Sequence, residues 1–179
     1  MPKPLVFDST PLIYLTRSSL AELLKEISQT KFTTTSVFEE VVREGKKKKA
    51  PEASLLETLF KKEIIKVHNI SNKGYLNYVK EMAAESEMQP LHEAEAEVLC
   101  LTKELNGIAI ADDQVARSVA RMLGIELHGT GYVLGKIFAT GKIDKEKLIE
   151  KVKEMRDSGW YVSAEDYLKI IDYLKNLKI

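Results

Sequence analysis

Short, unbroken apolar runs alternate along the chain with longer stretches in which apolar residues recur every three or four positions. Leu5-Val6-Phe7 reads as a strand ending at Asp8, and "STPLIYLTR" reads as a helix with Pro11 in its first turn. Residues 19–28 have the pattern of an amphipathic helix, and the β-branched "KFTTTS" that of a brief strand. Ser36 is expected to cap a helix over "VFEEVVRE", with Glu39 at its third position as in a capping box. After a lysine run, Lys46 to Lys49, the pattern predicts a helix over 52–61, a strand over 64–67 and a helix over 75–87. "LHEAEAEVLCLTKEL" places Ala94, Val98, Leu101 and Leu105 on one helical face. The run "GIAIA" follows as a strand. A helix over "QVARSVARML" stops at Gly124, and "IELH" is a short strand. Helices are predicted over 132–140, 144–157 and 164–177.

Strands that are apolar throughout, rather than at every second residue, are buried on both faces. Alternating with helices, they predict a three-layer α/β/α sandwich around a central parallel sheet, with a functional crevice beyond the carboxyl ends of the strands. The expected division is a core domain over 1–142 and a helical extension over 143–179 packed on it, with no chemistry assigned to the extension. The 179 residues, 44% hydrophobic and 30% charged, suffice for one packed domain. With 27 basic and 27 acidic residues the net charge is zero, so any nucleic-acid affinity must come from local patches. Cys100, the single cysteine, lies in an apolar run and reads as a core thiol. No leader-like segment and no run of 18 apolar residues stands out, so a cytoplasmic location is expected, without membrane association.

The acids at strand ends and first helical turns change this picture. Asp8 follows the first strand, Asp112 and Asp113 follow "GIAIA", Glu40 lies early in the helix after the second strand, and Glu93 lies in the first turn of the helix before "GIAIA". Each has an ordinary reading: helix caps for Asp8 and one of the paired aspartates, dipole partners for Glu40 and Glu93, a solvated face for Glu39, Glu95 and Glu97. Jointly they project to one edge of one sheet. Gathered carboxylates repel unless a cation holds them, and oxygen-only clusters suit Mg²⁺ or Mn²⁺. Neutralising Asp8 or Asp112 is therefore expected to leave the fold standing or to raise its stability.

These same stretches carry a resemblance. "VFDSTPLIYL" resembles the opening of PIN-domain proteins, "SVFEEVVRE" their second acidic motif with Glu40 as the matching acid, and "LHEAEAEVLCLTKEL" their third with Glu93. "IAIADDQVARSVARMLGIELHGTGYVLGKIFATGKI" is similar to the fourth, especially in one prokaryotic branch. The resemblance covers about residues 4–142. It implies a metal-dependent ribonuclease that cleaves single-stranded RNA with a metal-activated water. It also implies Mg²⁺ or Mn²⁺ as cofactor, a homodimer, and a possible role as the toxin of a toxin–antitoxin pair with a small antitoxin partner. The implied catalytic acids are Asp8, Glu40, Glu93 and Asp112, and the implied metal ligands Asp8, Glu93, Asp112 and Asp113. His92 stands where the family has glycine. The row Glu93, Glu95, Glu97 leaves the third motif open by two residues, and either Asp112 or Asp113 can match the last acid.

Ser9 can orient Asp8 or act as a turn hydroxyl, and His92 can meet phosphate or simply start a helix. The lysine run can contact an RNA backbone or form a plain loop. Trp160 and Tyr161 can stack on bases, although packing among the last helices is the expected role. Two other functions compete with the ribonuclease: a receiver domain, disfavoured because only one acid follows the first strand, and a catalytically silent PIN-like module that binds RNA or protein.

Overall fold

The computed structural model describes residues 2–85 and 90–178. Among them, β1 (Leu5–Phe7), β2 (Lys31–Thr34), β3 (Lys66–His68), β4 (Ile108–Ile110) and β5 (Leu127–His128) form one sheet in the order β3-β2-β1-β4-β5. Every adjacent pair is parallel, with Leu5 opposite Lys31 on one side and Ile108 on the other. The apolar runs behave as their composition dictates. β1 and β4 are buried at every residue and occupy the middle, whereas β3, "KVH", is exposed throughout and forms an edge.

The helices are α1 (Ser9–Arg17), α2 (Thr35–Phe38), α3 (Gly45–Lys47), α4 (Ala53–Lys61), α5 (Lys73–Glu85), α6 (Glu93–Glu104), α7 (Gln114–Met122), α8 (Thr130–Ala139), α9 (Lys145–Asp157) and α10 (Ala164–Asn176). α6 lies along β1, β2 and β4 with α5 and α7 beside it, while α1, α8, α9 and α10 pack together as a second layer. The result is the expected three-layer sandwich. The chain begins at the centre of the sheet, moves outward through β2 and β3, and returns to the other side of β1 with β4. The strand order therefore reverses between β1 and β4, and a crevice opens at such a reversal beyond the carboxyl ends of the two strands.

Three local expectations are corrected. The stretch after α1 is a 3-10 turn over Ala21–Glu26, not an amphipathic α-helix; a tight connector suffices to bury Leu20, Leu24 and Ile27 before β2. The cap of the next helix is Thr34, not Ser36: its side chain accepts the backbone N–H of Val37 at 3.3 Å, so the last residue of β2 also starts the helix. That helix is not uniform. Between α2 and α3, Glu39–Glu44 is π-helical, and the Gly45 N–H donates to the Glu40 carbonyl. Gly45 packs so closely that a Cβ there would lie 3.1 Å from the Ala53 Cβ. Positions 86 and 87 of the helix expected over 75–87 lie outside the described residues.

Candidate active site

Asp8 stands where β1 hands over to α1. Its backbone is extended and its N–H donates to the Ile110 carbonyl at 2.9 Å, which ties the ends of β1 and β4 together. Although Asp8 occupies the cap position of α1, its side chain makes no capping hydrogen bond. The residue is 3% exposed, and Oδ1 is buried with no hydrogen-bond partner. Burial is the main force pushing its pKa up from 3.8 to about 7. A hydrogen bond from the Ser9 backbone opposes the rise, and the nearby charges of Glu95, Glu40 and Asp112 add to it. A buried carboxylate with one oxygen left unpartnered is costly when charged.

Asp8 opens on a cavity of about 400 Å³ lined also by Ser9, Thr10, Glu40, His92 and Glu95. Glu40 reaches it from the π-helical segment, a geometry frequent at functional sites. Neighbouring Glu39 is instead tied to Arg43 at 2.9 Å. In the third motif, Glu95 lies on the cavity and Glu93 does not: Glu93 is exposed and 3.7 Å from Lys80 on α5. Glu95 Oε2 accepts the backbone N–H of His92 at 2.9 Å, a helix-start contact that also fixes its direction. Partial burial raises its pKa; the His92 contacts oppose this, and Asp113 and Glu40 add to it.

Asp112 has both oxygens bonded, where Asp8 has one without a partner. Its Oδ1 accepts the Thr130 N–H at 2.7 Å, and Oδ2 accepts the Thr130 hydroxyl at 2.6 Å and the Trp160 indole N–H at 2.9 Å. Gly129 allows this approach, because a Cβ there would lie 2.9 Å from Asp112 Oδ1 and 3.3 Å from Arg117 Nη2. Asp113 caps α7, its Oδ1 accepting the Ala116 N–H at 2.8 Å. The paired aspartates thus divide their work. Asp112 joins α8 and the C-terminal extension to the sheet edge, and Asp113 starts a helix.

The other singled-out residues sort as follows. Cys100 is fully buried, and burial, then Glu104 and Glu97, push its thiol up to about 12, so it is a core residue. In the lysine run, Lys46 pairs with Glu57 at 2.8 Å and Lys47 with Glu44 at 2.7 Å, away from the acidic cavity. Trp160 is 3% exposed and Tyr161 93% exposed. No described helix is long and apolar enough to cross a membrane.

The donor set suits a hard divalent cation: three carboxylates, one of them with an orphaned oxygen, beside the hydroxyls of Ser9 and Thr10 and the His92 ring. Among the described residues, however, no three acidic, histidine or cysteine side chains gather closely enough to hold an ion by themselves. The fit is therefore to a hydrated ion, of the kind Mg²⁺ favours, held by one or two carboxylates with water completing the shell.

Sequence reasoning assigned no role to the extension, yet it supplies the Trp160 contact to Asp112 across 48 positions. The signal available was a lone tryptophan after Ser-Gly, too little to point at an aspartate in another element. A family model described as a PIN domain matches residues 4–176, a span that takes in the acidic cavity and also α9 and α10. No curated protein matches the chain.

Proposed function

Because the chain belongs to the PIN-domain family, a nuclease-type fold, we propose that it is a metal-dependent ribonuclease acting on single-stranded RNA. The observation that carries this reading is the orphaned, buried Oδ1 of Asp8 at the sheet's reversal point, facing a cavity it shares with Glu40 and Glu95. Asp8 and Glu95 would hold a Mg²⁺ or Mn²⁺ ion, with Glu40 at the rim. Such a cation, when bound, supplies Lewis acidity and lowers the pKa of water.

The chain's own residues do the rest. Asp8 is 3% exposed, and this burial raises its affinity for a proton. Glu95 is fixed by the bond that its Oε2 accepts from the His92 N–H, which directs it into the cavity. Asp112 holds the Thr130 turn at the neighbouring strand end and keeps the crevice in shape. A role as the toxin of a pair with a small antitoxin, and a homodimeric state, belong to the same proposal and rest on the family resemblance.

The failure of three ligands to converge favours a second reading, a silent module that binds RNA or protein. One titration separates them. Mn²⁺ or Mg²⁺ added to the EDTA-treated protein is expected to start cleavage of single-stranded RNA and to raise the melting temperature. Binding of RNA with no cleavage at any metal concentration would establish the silent module instead.

A further inference from the structure

Beside the acidic cavity lies a larger groove of about 790 Å³, formed by α7, the start of α8 and the segment joining α9 to α10. Thr10 and Glu95 line both spaces, so the groove continues the cavity. Its size is within the usual 300–1,000 Å³ of ligand sites. Two of its residues lack the partners their chemistry calls for. Arg117 is half-buried and makes no salt bridge among the described residues; its Nη2 sits over the bare backbone of Gly129. Tyr161 is 93% exposed.

A single exposed aromatic is ordinary. Tyr161 differs because the backbone beneath it is held. The Gly159 carbonyl accepts the Tyr14 hydroxyl at 2.8 Å, and the Ser158 carbonyl accepts Arg17 Nη1 at 3.3 Å. The Trp160 indole is buried and bonded to Asp112, and Ser163 caps α10 by accepting the Asp166 N–H at 3.0 Å. Gly159 turns the chain at φ +100°, a conformation that suits glycine. Tyr161 therefore projects from a fixed loop and loses little freedom when something stacks on it. The other rings are taken: Tyr132 is stacked on His128 with centroids 4.2 Å apart and has Lys136 over it, and Trp160 is buried. Lys169 is neutralised by Glu165 at 2.7 Å, which leaves Arg117 as the groove's unpaired cation among the described residues.

We propose that this groove binds the strand of single-stranded RNA that leaves the acidic cavity, with Arg117 on a phosphate and Tyr161 as the platform for a base. The proposal rests on the nuclease reading, and it assigns the C-terminal extension to substrate binding. One free guanidinium in a groove that also holds Glu95, Asp112, Asp113 and Asp166 supplies no net electrostatic attraction for RNA, so stacking dominates.

Trp160, the single tryptophan, lines the groove and reports occupancy by its emission. The test titrates full-length Asp8→Asn protein in EDTA with a short oligouridylate, so that cleavage is off and repulsion from the cavity is reduced. The expected result is a saturable change in Trp160 emission. Tyr161→Ala should weaken binding about 5- to 100-fold and Tyr161→Phe should bind like the parent, the range of one stacked base. Arg117→Gln should weaken binding and flatten the slope of log affinity on log salt by about 0.7, the share of one phosphate contact on a single strand. Absence of oligouridylate binding, or equal affinity with and without the Tyr161 ring, overturns the proposal. Cleavage by the otherwise native chain is scored separately with Mn²⁺. Tyr161-dependent binding without cleavage supports the groove and removes the nuclease reading. Cleavage with a KM indifferent to Tyr161 removes the groove and keeps the nuclease.

Discussion

Asp8 and Asp112 end neighbouring parallel strands, and their surroundings are opposite. Asp8 is nearly sealed and has an oxygen with no partner; Asp112 is half-buried and accepts three hydrogen bonds. The first is the carboxylate that the proposed function assigns to a metal ion. The second is satisfied internally, and its bonds join two distant parts of the chain. Carboxylates alike in sequence pattern can thus be buried with an unpartnered oxygen at the end of one strand and fully bonded as a structural clasp at the end of the next.

The sharpest way to break this comparison is Asp8→Asn. RNA cleavage is expected to fall about a thousandfold, the worth of roughly 4 kcal/mol in a transition state. Stability should move the other way. A folded-state pKa of about 7 against 3.8 means that the native protein holds a proton the unfolded chain has released. The destabilisation from Asp8 is absent below pH 3.8, grows as pH rises, and is complete above pH about 7. The shift of about 3 pK units corresponds to about 4 kcal/mol as an upper figure, at 1.36 kcal/mol per unit. In EDTA at pH 8, Asp8→Asn should melt higher than the native chain, with the advantage vanishing toward pH 4. A variant that melts lower at pH 8 would show that the carboxylate is structural after all.

The next largest effect resolves the third acidic motif. Glu95→Gln should lower cleavage about 10- to 100-fold, as for groups that support a metal site. Exposed Glu93→Gln should change the rate by less than about twofold and stability within about 0.5 kcal/mol. Rates that rank the other way would return the motif to Glu93.

Asp112→Asn tests the clasp. Relief of repulsion predicted an intact or firmer fold; the hydrogen bonds reverse that. A carboxamide nitrogen cannot accept the indole N–H, so a stability loss of about 1–3 kcal/mol is expected, with a shift in Trp160 emission. An unchanged melting temperature would deny the clasp. The smallest effect is Asp113→Ala, a lost cap worth about 1 kcal/mol with cleavage near native. A collapse of cleavage in this variant would make Asp113 more than a cap.

The sheet was legible because "LVF" and "IAI" are apolar at every position, a pattern that only burial on both faces explains. The acids at its edge were legible for the same reason: once both strands are parallel and central, Asp8 and the paired aspartates must emerge together. Which acid of each cluster faces the cavity was not legible. In "HEAEAE" the choice depends on helix phase relative to a neighbour, and Glu93 and Glu95 differ only in that. The division between Asp112 and Asp113 depends on Thr130 and Trp160, contacts made by folding rather than by local pattern. The Ser36 cap failed because Thr34, a good strand residue, is also a good cap.

The π-helical segment before Gly45 turns these matters of phase into a question of length. Each residue of an α-helix advances the facing direction by about 100°. A stretch closed by i to i+5 bonds winds more slowly, so it spends an extra residue to reach a given angle. At one end Glu40 must face the cavity, and at the other Gly45 must lie flat against Ala53. Removing one residue between them would let the helix regularise with its two ends still nearly in step, whereas adding one would turn them out of step by about 100°. This segment therefore works as a protractor whose reading survives the loss of one residue and not the gain of one.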